Sequence, residues 1–291
     1  LSKIKSTIKS LLLATFPNVV KNRIFKEQAK FSWETLNEIN NEPEVLVVEE
    51  ILAKHVDFIF LDVGCNKGEY TYAASKFLEP YNIYSFEPNL KLNYILEKIF
   101  SEVNVLPYAL SNEETKAKFK VPSLNGHEDD SLGSLNTEAK ETNETSADIF
   151  EVQCKRLDDV VAHYKIKRVD FIKIDVEGFE LAVLEGAQHT IDEHSPLLLI
   201  EIEKKHNQPH TVLEIINSIN NKHQHKYKVF FFNINTYHLT EVTSEPSQNQ
   251  EDWGTRKYVN NFLFIPIKNV ILNEIQDLNT KLDRIFASKK K

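Results

Sequence analysis

The stretch Phe58-Ile59-Phe60-Leu61-Asp62-Val63-Gly64-Cys65-Asn66-Lys67-Gly68-Glu69-Tyr70-Thr71 constrains this chain most. It reads as a buried strand, a glycine turn and the start of a helix. An α/β protein builds a nucleotide-sized site in that way, at the carboxyl end of its first strand. The turn carries Gly64 and Gly68 in a Gly-x-x-x-Gly spacing, so the three-glycine fingerprint of dinucleotide sites is incomplete and a nicotinamide dehydrogenase is a poor fit. Asp62 sits at the strand tip, before the first glycine. An acid there repels a pyrophosphate and attracts an ammonium.

The rest of the chain repeats the strand-helix alternation. Residues 83–86, 103–106, 169–174 and 197–202 read as further strands. Helical faces lie between them: Tyr70, Ala73, Ala74 and Phe77; Leu92, Ile95, Leu96 and Ile99; Leu157, Val160, Val161 and Tyr164; and Val212, Ile215, Ile216 and Ile219. Such alternation demands right-handed crossovers and a mostly parallel sheet covered on both faces. Asn261-Phe262-Leu263-Phe264-Ile265-Pro266 reads as a last strand. A closing helix carries Ile271, Ile275, Leu278, Leu282 and Ile285, and its two heptads pack on the domain itself. The expected organisation is an N-terminal helical extension over 1–44, a catalytic domain over 45–267 and a C-terminal helix over 268–291. Residues 123–148, with seven acids and one base, read as a long lid-like loop, and 243–257 as a second.

Charge limits the partners. The net charge is −8, which argues against nucleic acid. Residues 1–30 hold seven basic residues and one acid. There Ile4, Ile8, Leu11 and Leu12 share a helical face that Pro17 ends or bends. Such a helix packs on its own domain, or makes a weak contact with an anionic membrane surface. No apolar run reaches the length of a bilayer span, and Leu11-Leu12-Leu13-Ala14 is too short for a signal peptide. Cys65 and Cys154 make neither a disulfide framework nor a zinc site. A reducing cytoplasm, with membrane association as an option, is the expected location. Asn143-Glu144-Thr145 is a chance sequon there.

The chemistry gathers at strand tips. Glu87, in Phe86-Glu87-Pro88-Asn89, ends the second strand and is placed to accept from both hydroxyls of a ribose. Asp62, Gly64, Asn66 and Gly68 offer an acid, an amide and close backbone approach to an amino-acid end, and Thr71 follows on the helix. Ala109 and Leu110 offer an adenine contact, with Ser111 for a ring nitrogen. A ligand with an adenosine end and an amino-acid end fits, and S-adenosylmethionine is one. Asp175 lies at the tip of the fourth strand, facing the same crevice as Asp62, and Glu177 and Gly178 open the next helix.

These segments, in order, resemble one family. Leu61-Asp62-Val63-Gly64-Cys65-Asn66-Lys67-Gly68, Glu87-Pro88, Ala109-Leu110-Ser111, Ile172-Lys173-Ile174-Asp175-Val176-Glu177-Gly178-Phe179-Glu180 and Leu184-Glu185-Gly186 look like the FkbM-type S-adenosylmethionine-dependent methyltransferases. Leu199-Ile200-Glu201-Ile202-Glu203 and Asn261-Phe262-Leu263-Phe264-Ile265-Pro266 extend the likeness to roughly residues 45–267. The Ile-Asp-Val-Glu-Gly segment discriminates best. Cys65 departs from the family, which more often has Ala there. The resemblance implies a Rossmann-like class I sheet of seven strands with the last antiparallel. It also implies O-methylation of a sugar, polysaccharide or secondary metabolite.

Such a transfer aligns an acceptor with the activated methyl and removes its proton. The candidate bases are Asp175, Glu201 and His206. Asp175 and Glu177 also border the cofactor. Asp175, Glu177 and Glu201 are able to hold a divalent metal, but no spacing demands one, so no metal is assigned. A small-molecule or glycan acceptor is expected as partner. N-methylation of a small amine and a non-catalytic S-adenosylmethionine-binding protein are the alternatives.

Overall fold

The computed structural model describes residues 13, 15–39, 41–138, 140–207, 209–223, 226–249, 255 and 257–287. The helical face of Ile4, Ile8, Leu11 and Leu12, and Trp253 and Gly254 of the second polar stretch, lie outside the described residues.

The main sheet holds eight strands: β1 (Phe60–Val63), β2 (Ile83–Phe86), β3 (Asn104–Leu106), β8 (Phe171–Ile174), β9 (Leu197–Glu201), β10 (Tyr227–Asn233), β11 (His238–Glu241) and β12 (Asn261–Pro266). Their spatial order is β11-β10-β12-β9-β8-β1-β2-β3. The five from β9 to β3 run parallel. β12 is antiparallel to β9 and to β10, and β11 is antiparallel to β10. The sheet is therefore one strand wider than the expected seven. The extra strand comes from the turn at 234–237, which folds His238–Glu241 back onto Phe230–Asn233.

Side chains alternate across each strand, so each strand feeds both faces. Phe60, Ile83, Phe171, Leu199 and Leu263 face one core with Val45, Val48 and Leu52 of the helix Pro43–Leu52. The closing helix, Ile271–Ala287, packs there too, through Ile271, Ile275, Leu278, Leu282 and Phe286. Leu61, Val63, Ile172, Ile174 and Leu198 face the other core, against Val183, Leu184, Ile215 and Ile216. Pro17 opens the helix Pro17–Ile24, as suits a residue with fixed φ and no N–H to lose at a helix start, and Phe16, just before it, breaks the helical run that holds Leu13 and Thr15.

A second sheet lies beyond Pro107. It contains β4 (Tyr108–Leu110), β5 (Thr115–Leu124), β6 (His127–Glu128) and β7 (Glu144–Lys155), in the order β4-β7-β5-β6. β5 and β7 pair antiparallel along most of their length. The expected loop over 123–148 is thus partly strand at both ends, with a short 3-10 turn at Asp130–Leu132. Lys116, Lys118 and Lys120 alternate with Ala117, Phe119 and Val121. That period-2 pattern is the local signature of a half-buried strand. Cys65 and Cys154 are both free and buried, and no described helix is long and apolar enough to cross a membrane.

Candidate active site

β1 and β8 lie side by side, and their carboxyl ends open a narrow crevice of about 60 Å³. Gly64, Asn66, Glu87, Pro88, Ala109, Leu110, Asp175 and Glu177 line it. These are eight of the residues expected from the sequence to meet a cofactor. Asp62, Gly68, Thr71 and Ser111 stand behind it. Asp62 and Thr71 are buried, and Thr71 Oγ1 donates to Asp62 Oδ2 at 2.6 Å while sharing a 2.7 Å hydrogen bond with Ser85 Oγ. Asp62 pairs in register with Ser85 on β2 and Lys173 on β8. Asp62 shares a face with Lys173 and Asp175 but sits two residues short of Gly64, where Thr71 covers it and keeps it out of the crevice lining. Burial pushes its carboxyl up to about 6.

Gly68 has φ +84, and a Cβ on it would approach Leu96 Cδ2 to 2.8 Å. It lets the helix Glu69–Ala74 start tight against the helix Leu90–Ile99. Ser111 is buried, and its N–H donates to the Lys155 carbonyl at 2.9 Å.

Glu87 closes one end of the crevice. Its Oε2 accepts from the Asn66 N–H at 2.9 Å and its Oε1 from the Asn89 N–H at 2.7 Å. Asn89 then caps the helix Leu90–Ile99 by accepting from the Lys91 N–H at 3.0 Å. Burial pushes the Glu87 carboxyl up to about 8, against the pull of those two N–H groups. Each oxygen retains a lone pair for a ligand hydroxyl. The Asn66 Oδ1 is buried without a hydrogen-bond partner among the described residues. A buried orphan acceptor on a crevice wall is costly unless a ligand donor reaches it.

The other end of the crevice is ionic. Lys173 is 1% exposed, and its Nζ lies 3.3 Å from Asp175 Oδ2. It also donates to Asn261 Oδ1 at 3.2 Å and sits 5.1 Å from the centre of the Tyr70 ring. Burial works against its charge, but Asp175, Glu201, Glu42 and Asp62 outweigh it and keep the lysine protonated. Burial likewise pushes Asp175 up. Lys173 and a hydrogen bond from Glu201 reverse that and hold Asp175 below the usual carboxylate range. Burial and the Asp175 charge push Glu201 well above it. Asp175 is the more acidic member of this pair and Glu201 the less acidic, with Lys173 as counter-ion.

Asp175, Glu177 and Glu201 each bring a carboxylate oxygen within 4.8 Å of the others, and Glu177, Glu203 and His206 form a similar group. The first trio, all oxygen, has the donors a hard divalent cation takes, while the second includes an imidazole nitrogen and suits a transition-metal ion. His206 packs behind the Glu177–Gly178 turn, where a Cβ on Gly178 would meet its Cβ at 3.1 Å. Its Nδ1 is 3.9 Å from Glu177 Oε2, and it lines neither the crevice nor the cleft beside it.

The segment expected as a lid, together with Phe119 of β5, supplies a wall of the crevice. Phe119, Asp130, Ser131, Gly133 and Leu135 face the crevice. Asn66 Nδ2 donates to the Asp130 carbonyl and Asn89 Nδ2 to Asp130 Oδ1, both at 3.0 Å. Ser134 Oγ donates to the Glu177 carbonyl at 2.6 Å. This segment ties the two strand-tip loops together. On its far side lies a wider cleft of about 400 Å³, reached by Leu132, Glu177 and Glu201. Glu177 borders both spaces.

A family model described as the Methyltransferase FkbM domain matches residues 62–229, more than half of the chain. Among solved structures, methyltransferase FkbM from Methylobacillus flagellatus KT is similar at 16% identity and a TM-score of 0.45, over 80% of this chain and 48% of that one. This chain therefore spans about half the length of that protein. No curated protein matches.

Proposed function

The chain belongs to the FkbM methyltransferase family, and on that premise we propose that it is an S-adenosylmethionine-dependent O-methyltransferase acting on a hydroxyl-rich acceptor. The observation that carries this reading is the pairing across one crevice of a diol acceptor, Glu87, with an ionised carboxylate, Asp175.

The residues present suit the cofactor. Glu87 accepts ribose hydroxyls, Ala109 and Leu110 give an apolar surface for adenine, and the orphan Asn66 Oδ1 accepts from the methionine ammonium. S-adenosylmethionine, when bound, supplies a methyl carbon on a cationic sulfur that leaves as a neutral thioether. With the cofactor held by these residues, the acceptor oxygen would bond to that carbon in line with the departing sulfur, which would keep the electron pair. Asp175 takes the hydroxyl proton. Its neighbour Glu201, the less acidic of the two, hydrogen-bonds to it, so the pair spreads the arriving charge. The wider cleft beside Glu177 holds the acceptor.

Titration calorimetry with S-adenosylmethionine, followed by transfer of a labelled methyl to a panel of glycosides, tests the reading. Heat on cofactor addition and label in base-stable ether linkages are expected. Absence of cofactor binding would remove it, and label on nitrogen would replace O- with N-methylation.

A further inference from the structure

The cleft that takes the acceptor, on the reading above, has a wall chemistry that restricts the charge of its occupant. Its volume, about 400 Å³, lies in the range of small-molecule sites. Glu42, Glu44, Glu69, Glu177, Glu201 and Glu203 all face it. Against these six acids, the cleft lining among the described residues includes one cation, Lys205. Its ammonium is 2.8 Å from Glu203 Oε2 and 3.5 Å from Glu141 Oε2, so it is already paired on both sides.

Other wall donors are also spent on the wall. Tyr70 donates to Glu42 Oε2 at 2.7 Å and Asn260 Nδ2 donates to Glu201 Oε1. Phe232 and Tyr258 add two aromatic residues to the same lining, and flat apolar faces of that kind suit the C–H face of a sugar ring. Cleft walls of one sign focus the potential inside. An acidic acceptor would meet carboxyl groups on several sides of the cleft.

We propose that the acceptor is a hydroxyl-rich molecule carrying a protonated amine, an amino sugar or its glycoside, and that the carboxylates of this cleft select it over neutral and acidic counterparts. The sugar hydroxyls give the carboxylates donors, and the ammonium offsets their charge. A divalent cation at Asp175, Glu177 and Glu201 is the other source of positive charge, and the experiment separates the two.

The probes are the methyl glycosides of glucosamine, galactosamine and mannosamine, with the matching neutral hexosides and hexuronides. Their binding to the full chain is followed by ligand-observed NMR without cofactor, so the result does not depend on methyl transfer. The expected result in EDTA is that at least one aminoglycoside binds at least about tenfold tighter than its neutral partner, a factor of about 1.4 kcal/mol, with the hexuronides weakest. The preference should shrink at about 1 M salt, where the screening length is about 3 Å. Glu69→Gln with Glu203→Gln should weaken aminoglycoside binding and, by freeing Lys205, improve that of the hexuronides. Equal binding within each set, tighter hexuronide binding, no aminoglycoside binding, or an amine preference that appears only when magnesium is added would each overturn the proposal. None of these results bears on cofactor binding, which the calorimetry above tests separately.

Discussion

A Cβ built on Gly64 would lie 1.8 Å from the carbonyl oxygen of Asp175. The two strand tips that flank the crevice therefore touch through backbone alone, and Gly64 holds φ +76 to allow it. Gly64→Ala should cost about 1–3 kcal/mol from the left-handed backbone alone, and more from the clash. A fall in melting temperature together with lost cofactor binding is expected, and a variant with wild-type stability and affinity would contradict it.

Lys173 is the buried counter-ion of the acid pair. Lys173→Met removes one partner of a buried ion pair and leaves Asp175 and Asp62 uncompensated. Such changes cost about 3–5 kcal/mol. Denaturant titration should show that loss. In the surviving enzyme the acid limb of the pH–rate profile should move upward, because Asp175 loses the cation that holds it ionised. An unmoved acid limb would assign Lys173 to packing alone.

Asp175→Asn separates chemistry from binding. A general base contributes about 10²–10⁴-fold, so kcat should fall by that order while cofactor affinity changes little. Full turnover in this variant would take the proton-accepting role from Asp175.

Glu87 links cofactor binding to pH. Its carboxyl is raised from the ordinary 4.5 to about 8 by burial, so the folded chain binds its proton more tightly than the unfolded chain. The stability this contributes is complete below about pH 4.5 and is lost as pH rises through about 8. Asp62, raised to about 6, adds a smaller loss in the same direction. The melting temperature should fall between pH 5 and 8. Glu87→Gln, which mimics the protonated form, should flatten that fall. Above about pH 8, where the wild-type carboxyl is ionised, the same variant should weaken S-adenosylmethionine about 10–100-fold, the worth of about 1.5–3 kcal/mol for hydrogen bonds to a charged group, and at about pH 6 the two should bind nearly alike. A fall as steep as wild type would show that other groups govern it.

Much of this was readable in order along the chain. The apolar run before Gly64, the Glu87-Pro88 step and the Ile172–Glu180 segment each end a strand at the crevice, because a buried parallel strand is a nearly continuous apolar run with its function at the tip. Asp62 shows the limit of that reading. It looks like a tip residue, but it stops two residues short of Gly64, covered by Thr71 and level with Lys173. The alternation of Lys116, Lys118 and Lys120 with Ala117, Phe119 and Val121 could have revealed β5. The acidic composition after it hid the strand, because charge density masks period in a half-exposed element.

Local sequence, then, determined the parallel sheet, its helices and the residues at the donor crevice, since each rests on periodicity and turn chemistry within a few residues. Only the tertiary structure brought together the acid-lined cleft. Glu42 and Glu69 from helix starts, Glu177 after β8, Glu201 and Glu203 at the end of β9, and Tyr258 and Asn261 near β12 are far apart along the chain. They meet because five parallel strands and the antiparallel β12 place their ends on one edge of the sheet. No local pattern records such a meeting, because the spacing between its members is set by crossovers and by strand order.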